Sequence, residues 1–250
     1  MKNRSYLRNV LGCAVLIIFT VTVMWTGNAV AQTSFGDPFD GDGLQNSNWK
    51  WQNEPPTWDV GKTRDGFLYI DCETNRNIWA NDASHFLYQE TDAEMFDVET
   101  HFFAKWDTNS GVNGLLVKSN TDDNWVTLKF WGQGAGPKGQ IQFQTKQVNI
   151  VGNAGWTPEF GDTELFLRLK KDGNAYTSWY KTEDGEDWKQ IGVTSFNLTP
   201  PLWLGIYAGV ADPTGSLEVE YEYFRDNMTP FPVEPGGKAT TTWGAVKTRY

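Results

Sequence analysis

Beyond residue 31 the hydrophobic positions fall into short runs in which apolar and polar residues alternate, and no long stretch repeats apolar residues at helical spacing. Runs rich in Val, Ile, Phe, Tyr, Trp and Thr, broken by Gly, Asn, Asp and Pro, predict strands over roughly 67–71, 86–90, 96–105, 113–119, 124–131, 140–145, 164–170, 175–181, 188–194, 203–210 and 216–224. That is an all-β chain. Lys171-Asp172-Gly173-Asn174 lies between two alternating runs and predicts a hairpin, because Gly and Asn tolerate positive φ; Glu183-Asp184-Gly185-Glu186 does the same before Trp188. Gly132 to Gly139 is glycine-rich, but it lacks the Gly-Lys-Ser/Thr ending and the following helix of a phosphate loop. Residues 37–58, rich in Asp, Asn, Pro and Trp, predict an irregular lead-in, and the chain after Arg225 turns to linker composition.

Period two separates the faces of each run. Leu165, Leu167 and Leu169 oppose Phe166 and Arg168; Leu204, Ile206, Ala208 and Val210 oppose Trp203 and Tyr207. Val126, Leu128 and Phe130 oppose Trp125, Thr127, Lys129 and Trp131, while Ile141 and Phe143 oppose Gln140, Gln142 and Gln144. Phe96, Val98 and Phe102 oppose Asp97, Glu99 and His101. The apolar sets predict a core. The other sets, if they share a sheet, predict an outer face that suits sugars, where aromatic rings stack and planar polar groups take hydroxyls. On that reading Trp125, Trp131, Trp203 and Tyr207 stack, while Glu99, His101, Arg168 and Gln142 bond hydroxyls. The competing reading is a structural envelope or matrix protein with a solvated sheet face and Trp residues serving the core.

The first residues add a destination. Lys2, Arg4 and Arg8 precede an apolar run from Val10 to Trp25, and Ala29-Val30-Ala31 supplies the small residues of a cleavage site. This is the layout of a secretory signal over residues 1–31, so a secreted or periplasmic protein is expected, with no membrane span after cleavage. The expected division is signal peptide 1–31, sandwich 32–226, and a Pro/Gly linker with a short tail over 227–250. Beyond the signal, 18 basic residues face 31 acidic ones, a net charge of −13. That argues against nucleic acid and anionic membranes as partners. Cys72 stands alone after the signal, so no internal disulfide forms, and one Cys with two His residues is too few for a zinc site. Trp accounts for 13 residues, twelve of them beyond residue 31, which again suits an oligo- or polysaccharide partner as well as a Trp-rich core.

Several segments carry a family resemblance: Asp37-Pro38-Phe39-Asp40 with Trp49, Phe96-Asp97-Val98-Glu99-Thr100, Gly114-Leu115-Leu116-Val117 and Asp123-Asn124-Trp125-Val126. Later come Leu167-Arg168-Leu169-Lys170-Lys171-Asp172-Gly173-Asn174, Tyr180 to Trp188, and Glu220-Tyr221-Glu222-Tyr223-Phe224-Arg225. In this order they resemble the concanavalin A-like lectin/glucanase sandwiches. Within that group the similarity is greatest to the bacterial DUF1349-type family and to the C-terminal sandwich of family-43 β-xylosidases. The resemblance implies a two-sheet antiparallel β-sandwich (a jelly roll) that accompanies glycan-degrading enzymes, and it leaves activity open because this fold hosts lectins and hydrolases alike. Sandwich glucanases carry Glu-x-Asp-x-Glu on one strand. Here Glu94 is out of phase with Asp97 and Glu99, so the motif is broken. A glycoside hydrolase would have to use Asp97 and Glu99, with His101 on the same face, as its acid/base set. No cofactor is expected; a structural calcium on Asp40 and Asp42 is the one metal alternative.

Overall fold

The computed structural model describes residues 34–79, 82–134, 138–148, 150–159, 161 and 163–231. The expected signal peptide and the tail beyond Phe231 lie outside the described residues. Among those described, no helix is long and apolar enough to cross a membrane. The strands are β1 (Lys50–Gln52), β2 (Thr57–Val60), β3 (Leu68–Asp71), β4 (His85–Thr91), β5 (Met95–Asp107), β6 (Gly111–Ser119) and β7 (Trp125–Gly132), followed by β8 (Gly139–Gln147), β9 (Ile150–Trp156), β10 (Glu164–Asp172), β11 (Ala175–Lys181), β12 (Lys189–Ser195), β13 (Leu202–Val210) and β14 (Ser216–Asp226). They form two seven-stranded sheets, ordered β1-β4-β13-β6-β7-β8-β9 and β12-β11-β10-β5-β14-β3-β2, and every pairing is antiparallel. The expected two-sheet sandwich is therefore what forms.

The core lies between the sheets and is built from the predicted apolar sets, joined by Val219 and Tyr221 of β14, whose facing was not assigned from the sequence. Leu204, Ile206, Ala208, Val126, Leu128, Phe130, Ile141 and Phe143 come from the first sheet; Val98, Phe102, Leu165, Leu167, Leu169, Val219 and Tyr221 come from the second. The Phe102 ring meets Phe130 across the interface at 6.4 Å between centroids and Tyr221 at 5.8 Å. One polar thread crosses the core. The Tyr221 hydroxyl donates to the Tyr207 carbonyl at 2.9 Å and accepts from the Gly114 amide at 3.1 Å. Gly114 makes this approach with φ at +149°, and a Cβ there would fall 2.4 Å from the Leu128 carbonyl oxygen.

Three strands were not foreseen. The lead-in over 37–58 contains β1 and β2, which extend the edges of the two sheets. Ile150–Trp156 forms β9, where Gly and Asn dilute the alternation and a register shift at Phe143/Gln144 interrupts pairing with β8. The lead-in itself is organised by Asp37, which is fully buried. Its carboxylate accepts from the amides of Phe39, Gln45 and Asn46 and from Trp49 Nε1, each at 2.9 Å. Its backbone pairs with Phe224 of β14. We predict that Asp37→Ala, which strands four donors, lowers the unfolding free energy by roughly 3 kcal/mol, read from urea denaturation midpoints at constant slope.

Candidate functional site

The outward residues of the first sheet do not all face solvent. Residues 73–79 and 82–84, between β3 and β4, lie against that face. The Arg76 amide donates to the Val210 carbonyl at 2.7 Å and Asn75 to Asp212 at 2.9 Å. Farther along, Trp125 Nε1 donates to the Ile78 carbonyl at 3.2 Å, and Lys118 pairs with Asp82. Beneath this segment Ile78, Phe86, Tyr88, Val112, Leu116, Trp125 and Tyr207 make a second apolar cluster. Trp125 and Tyr207, expected as open stacking platforms, are therefore covered, with exposures of 1% and 0%. The Tyr207 hydroxyl is tied to Thr127 Oγ1. Trp203 stays half-buried, stacked on Tyr88 at 4.2 Å with an interplanar angle of 22°.

The part of this face toward β9 is left open. The register sets Trp131 of β7 opposite Gln140 of β8, Lys129 opposite Gln142, and Gln142 opposite Trp156 of β9. Trp131 and Trp156 thus stand on strands flanking the Gln140–Gln142 pair, roughly 12 Å apart across two strand spacings and a two-residue offset. Trp156 is 60% exposed, Trp131 is half-buried and donates from Nε1 to the Asn109 carbonyl, and Trp79 from the covering segment is 39% exposed. Trp79 and Trp156 were absent from the sequence-derived set. Trp79 sits in an Asn/Asp-rich connection and Trp156 at the end of the unforeseen strand, so alternation pointed to neither. Lys129 is 3% exposed beneath Trp79, its Nζ 4.6 Å from the ring centroid. Burial pushes the amine down to about 7 from an ordinary 10.5.

Glu99, His101 and Arg168 lie elsewhere. They occupy the outer face of the second sheet, on the other side of the sandwich from Trp131, Trp203 and Gln142. The expected eight-residue constellation is split, because period two says which residues point away from the core but not which sheet they join. On the second face Arg168 donates to Asp97 through Nε at 2.8 Å and Nη2 at 2.7 Å, with Trp179 and Trp188 beside its guanidinium. Glu99 accepts from Arg225 at 2.6 Å, Tyr223 at 3.3 Å and Asn227 at 3.1 Å. His101 stacks on Phe166 at 3.8 Å, with Glu222 2.5 Å from Nδ1 and Glu164 3.1 Å from Nε2. Glu222 reaches the ring because a bulge between Tyr221 and Tyr223 adds one outward residue to β14. Asp97 and Glu99 do share a face, as the hydrolase alternative requires, but protein donors already occupy both oxygens of each. Asp40 and Asp42 precede β1, and Asp42 is exposed. Among the described residues no three His, Cys, Asp or Glu side chains converge as metal ligands.

Lys129 generates a pH-dependent expectation. Its amine holds its proton up to pH 10.5 in the unfolded chain but only to about 7 in the folded one. The unfolded state therefore binds more protons across that window, and stability rises with pH from 7 toward 10.5. Lys129→Met removes this slope and raises the melting temperature most at and below pH 7, which thermal unfolding across a pH series checks.

Residues 36–225 match the family described as beta-xylosidase C-terminal concanavalin A-like domain. Among solved structures, the GH43 protein BlXynB from Bacillus licheniformis superposes with a TM-score of 0.63 at 15% identity, over 76% of this chain and 38% of that one. A functionally unknown protein from Saccharomyces cerevisiae gives 0.56 at 17%, over 72% and 97%. The catalytic domain of an endo-1,3-beta-glucanase (laminarinase) from Thermotoga petrophila gives 0.53 at 11%, over 77% and 95%. At such identities the likeness is one of fold, and the chain spans 38% of the length of the Bacillus protein. No curated protein matches the chain in sequence. With three quarters of its length matched, the chain belongs to the family of β-xylosidase C-terminal concanavalin A-like domains.

Proposed function

We propose that this chain is an exported carbohydrate-binding domain that accompanies glycan-degrading enzymes and does not itself cut the glycan. The observation that carries the reading is the open part of the first sheet's outer face, where Trp131 and Trp156 flank Gln140 and Gln142. Indole faces stack on the apolar faces of pyranose rings, and the amide side chains between them are planar donors and acceptors at the spacing of a strand. Trp79 adds a third ring at the rim, and Trp203 with Tyr88 extends the aromatic surface on the far side of the covering segment. The use of the family alongside glycoside hydrolases supports a glycan as the partner. The basic residues, apolar run and Ala29-Val30-Ala31 at the start of the chain support export. Hydrolysis at Asp97 and Glu99 would require breaking the bonds to Arg168 and Arg225, each break leaving a charge unpaired at a largely covered site.

The test is a glycan microarray followed by affinity electrophoresis on the polysaccharides that bind. Trp131→Ala and Trp156→Ala are each expected to weaken binding by about tenfold or more. Trp179→Ala, on the other face of the sandwich, is expected to leave it unchanged. Loss of binding with Trp179→Ala alone would move the site to the second sheet, and a chain that binds no glycan overturns the reading.

A further inference from the structure

The outer face of the first sheet holds a cation that no acceptor among the described residues reaches. Three lysines, Lys118, Lys129 and Lys146, come from neighbouring strands β6, β7 and β8, with exposures of 5%, 3% and 4%. Two are matched. Lys118 pairs with Asp82, and Lys146 Nζ donates to the Trp79 carbonyl at 3.2 Å with Asp123 at 3.6 Å. Lys129 is not: among the described residues no acceptor lies within hydrogen-bond distance of its Nζ, and only the π face of Trp79 approaches it. A largely covered ammonium without a protein acceptor costs free energy that a fully solvated surface lysine does not, and it leaves one short-range positive site on a domain whose net charge of −13 otherwise disfavours polyanions at long range. An unmatched acceptor lies close by. Gln144 is 3% exposed; its Nε2 donates to Asn153, but its Oε1 is buried with no donor. Among the described residues one donor without an acceptor and one acceptor without a donor thus sit on adjacent strands, Lys129 opposite Gln142 and Gln144 one outward row farther along, opposite Thr127 and Asn153, while Trp156 and Trp131 stand at the Gln142 and Gln140 rows.

Resting on the carbohydrate reading above, we infer that the glycan taken by this face is acidic, with the carboxylate of a uronic-acid residue as the acceptor for Lys129 Nζ. Both unmatched groups are satisfied by one such sugar. The carboxylate reaches the ammonium by displacing the Trp79 ring, and a ring hydroxyl donates to Gln144 Oε1. A neutral glycan would supply the hydroxyl and the stacking face but would leave the cation bare. Residues two apart on a strand stand about 7 Å from one another, so a ring stacked on Trp131 carries its substituents over Lys129. Charge-assisted bonds of this kind are about twice as strong as neutral ones.

The experiment compares the full chain's affinity for polygalacturonate, alginate and glucuronoxylan with that for the carboxyl-reduced form of each, by isothermal titration calorimetry at pH 6, where the amine carries its proton. At least one acidic form is expected to bind tenfold or more tightly than its reduced counterpart. Lys129→Met and Lys129→Gln, each verified as folded by circular dichroism, are expected to bring the acidic form down to the reduced form's affinity. Trp131→Ala is expected to weaken both forms. Equal affinity of the wild type for acidic and reduced forms, or an acidic preference that survives both Lys129 substitutions, overturns the inference while leaving sugar binding at this face intact. If the wild type binds neither form of any of the three polysaccharides nor any neutral glycan, the carbohydrate reading fails with it.

Discussion

The mating of the two inner faces is the constraint on which everything else in this domain depends. Phe102 on the second sheet and Phe130 and Leu128 on the first meet across an interface that excludes water from both. Burying each such side chain contributes about 1.5–3 kcal/mol, and without a disulfide this burial holds the sandwich together. Its demand is strict: every core strand gives one face inward, so chemistry with a ligand is left to the two outer faces and to the ends. The polar groups admitted to the interior are those with several partners. Tyr221 ties the sheets together through Gly114 and Tyr207, and the buried carboxylate of Asp37 gathers four donors from the lead-in.

The outer faces use their polar residues in opposite ways. On the second sheet Arg168 holds Asp97, Arg225 holds Glu99, Asn227 bridges the two carboxylates, and His101 is held separately by Glu164 and Glu222, so a ligand would have to replace bonds that already exist. On the first sheet the covering residues around Ile78 close off part of the face by making a second small core over Trp125 and Tyr207. What is left open combines aromatic rings and amides, and beneath its Trp79 ring lies a lysine with no acceptor among the described residues. That asymmetry is the reason the proposed binding surface is placed on the first sheet.

The fold does not choose between binding and catalysis, since a laminarinase catalytic domain and the Bacillus GH43 protein both resemble this sandwich. The choice turns on single residues. Glu94 is out of phase with Asp97 and Glu99, and those two carboxylates are held by arginines. Function is therefore argued from the open patch beside β9 and not from the architecture.

Much of the architecture was legible along the chain. Alternation separated Val126, Leu128 and Phe130 from Trp125, Thr127, Lys129 and Trp131, and the inner set is the core. It could do so because the side-chain period of a strand is a local property of the backbone. It failed where the strand pattern is diluted by Gly and Asn, as in β9, or where a bulge shifts the phase, as at Glu222. The site was legible only in part, for a different reason. Trp125 and Trp131 share a strand and a face, yet one is buried and the other is partly open, because a segment some fifty residues earlier in the chain lies over the first. Trp131 and Arg168 are both outward and yet on opposite sides of the molecule. The sequence by itself determined which residues face away from the core. Only the tertiary structure decided which of them share a surface, which are covered, and that Lys129 has no acceptor among the described residues, because strand order and loop closure depend on contacts between residues far apart in the chain.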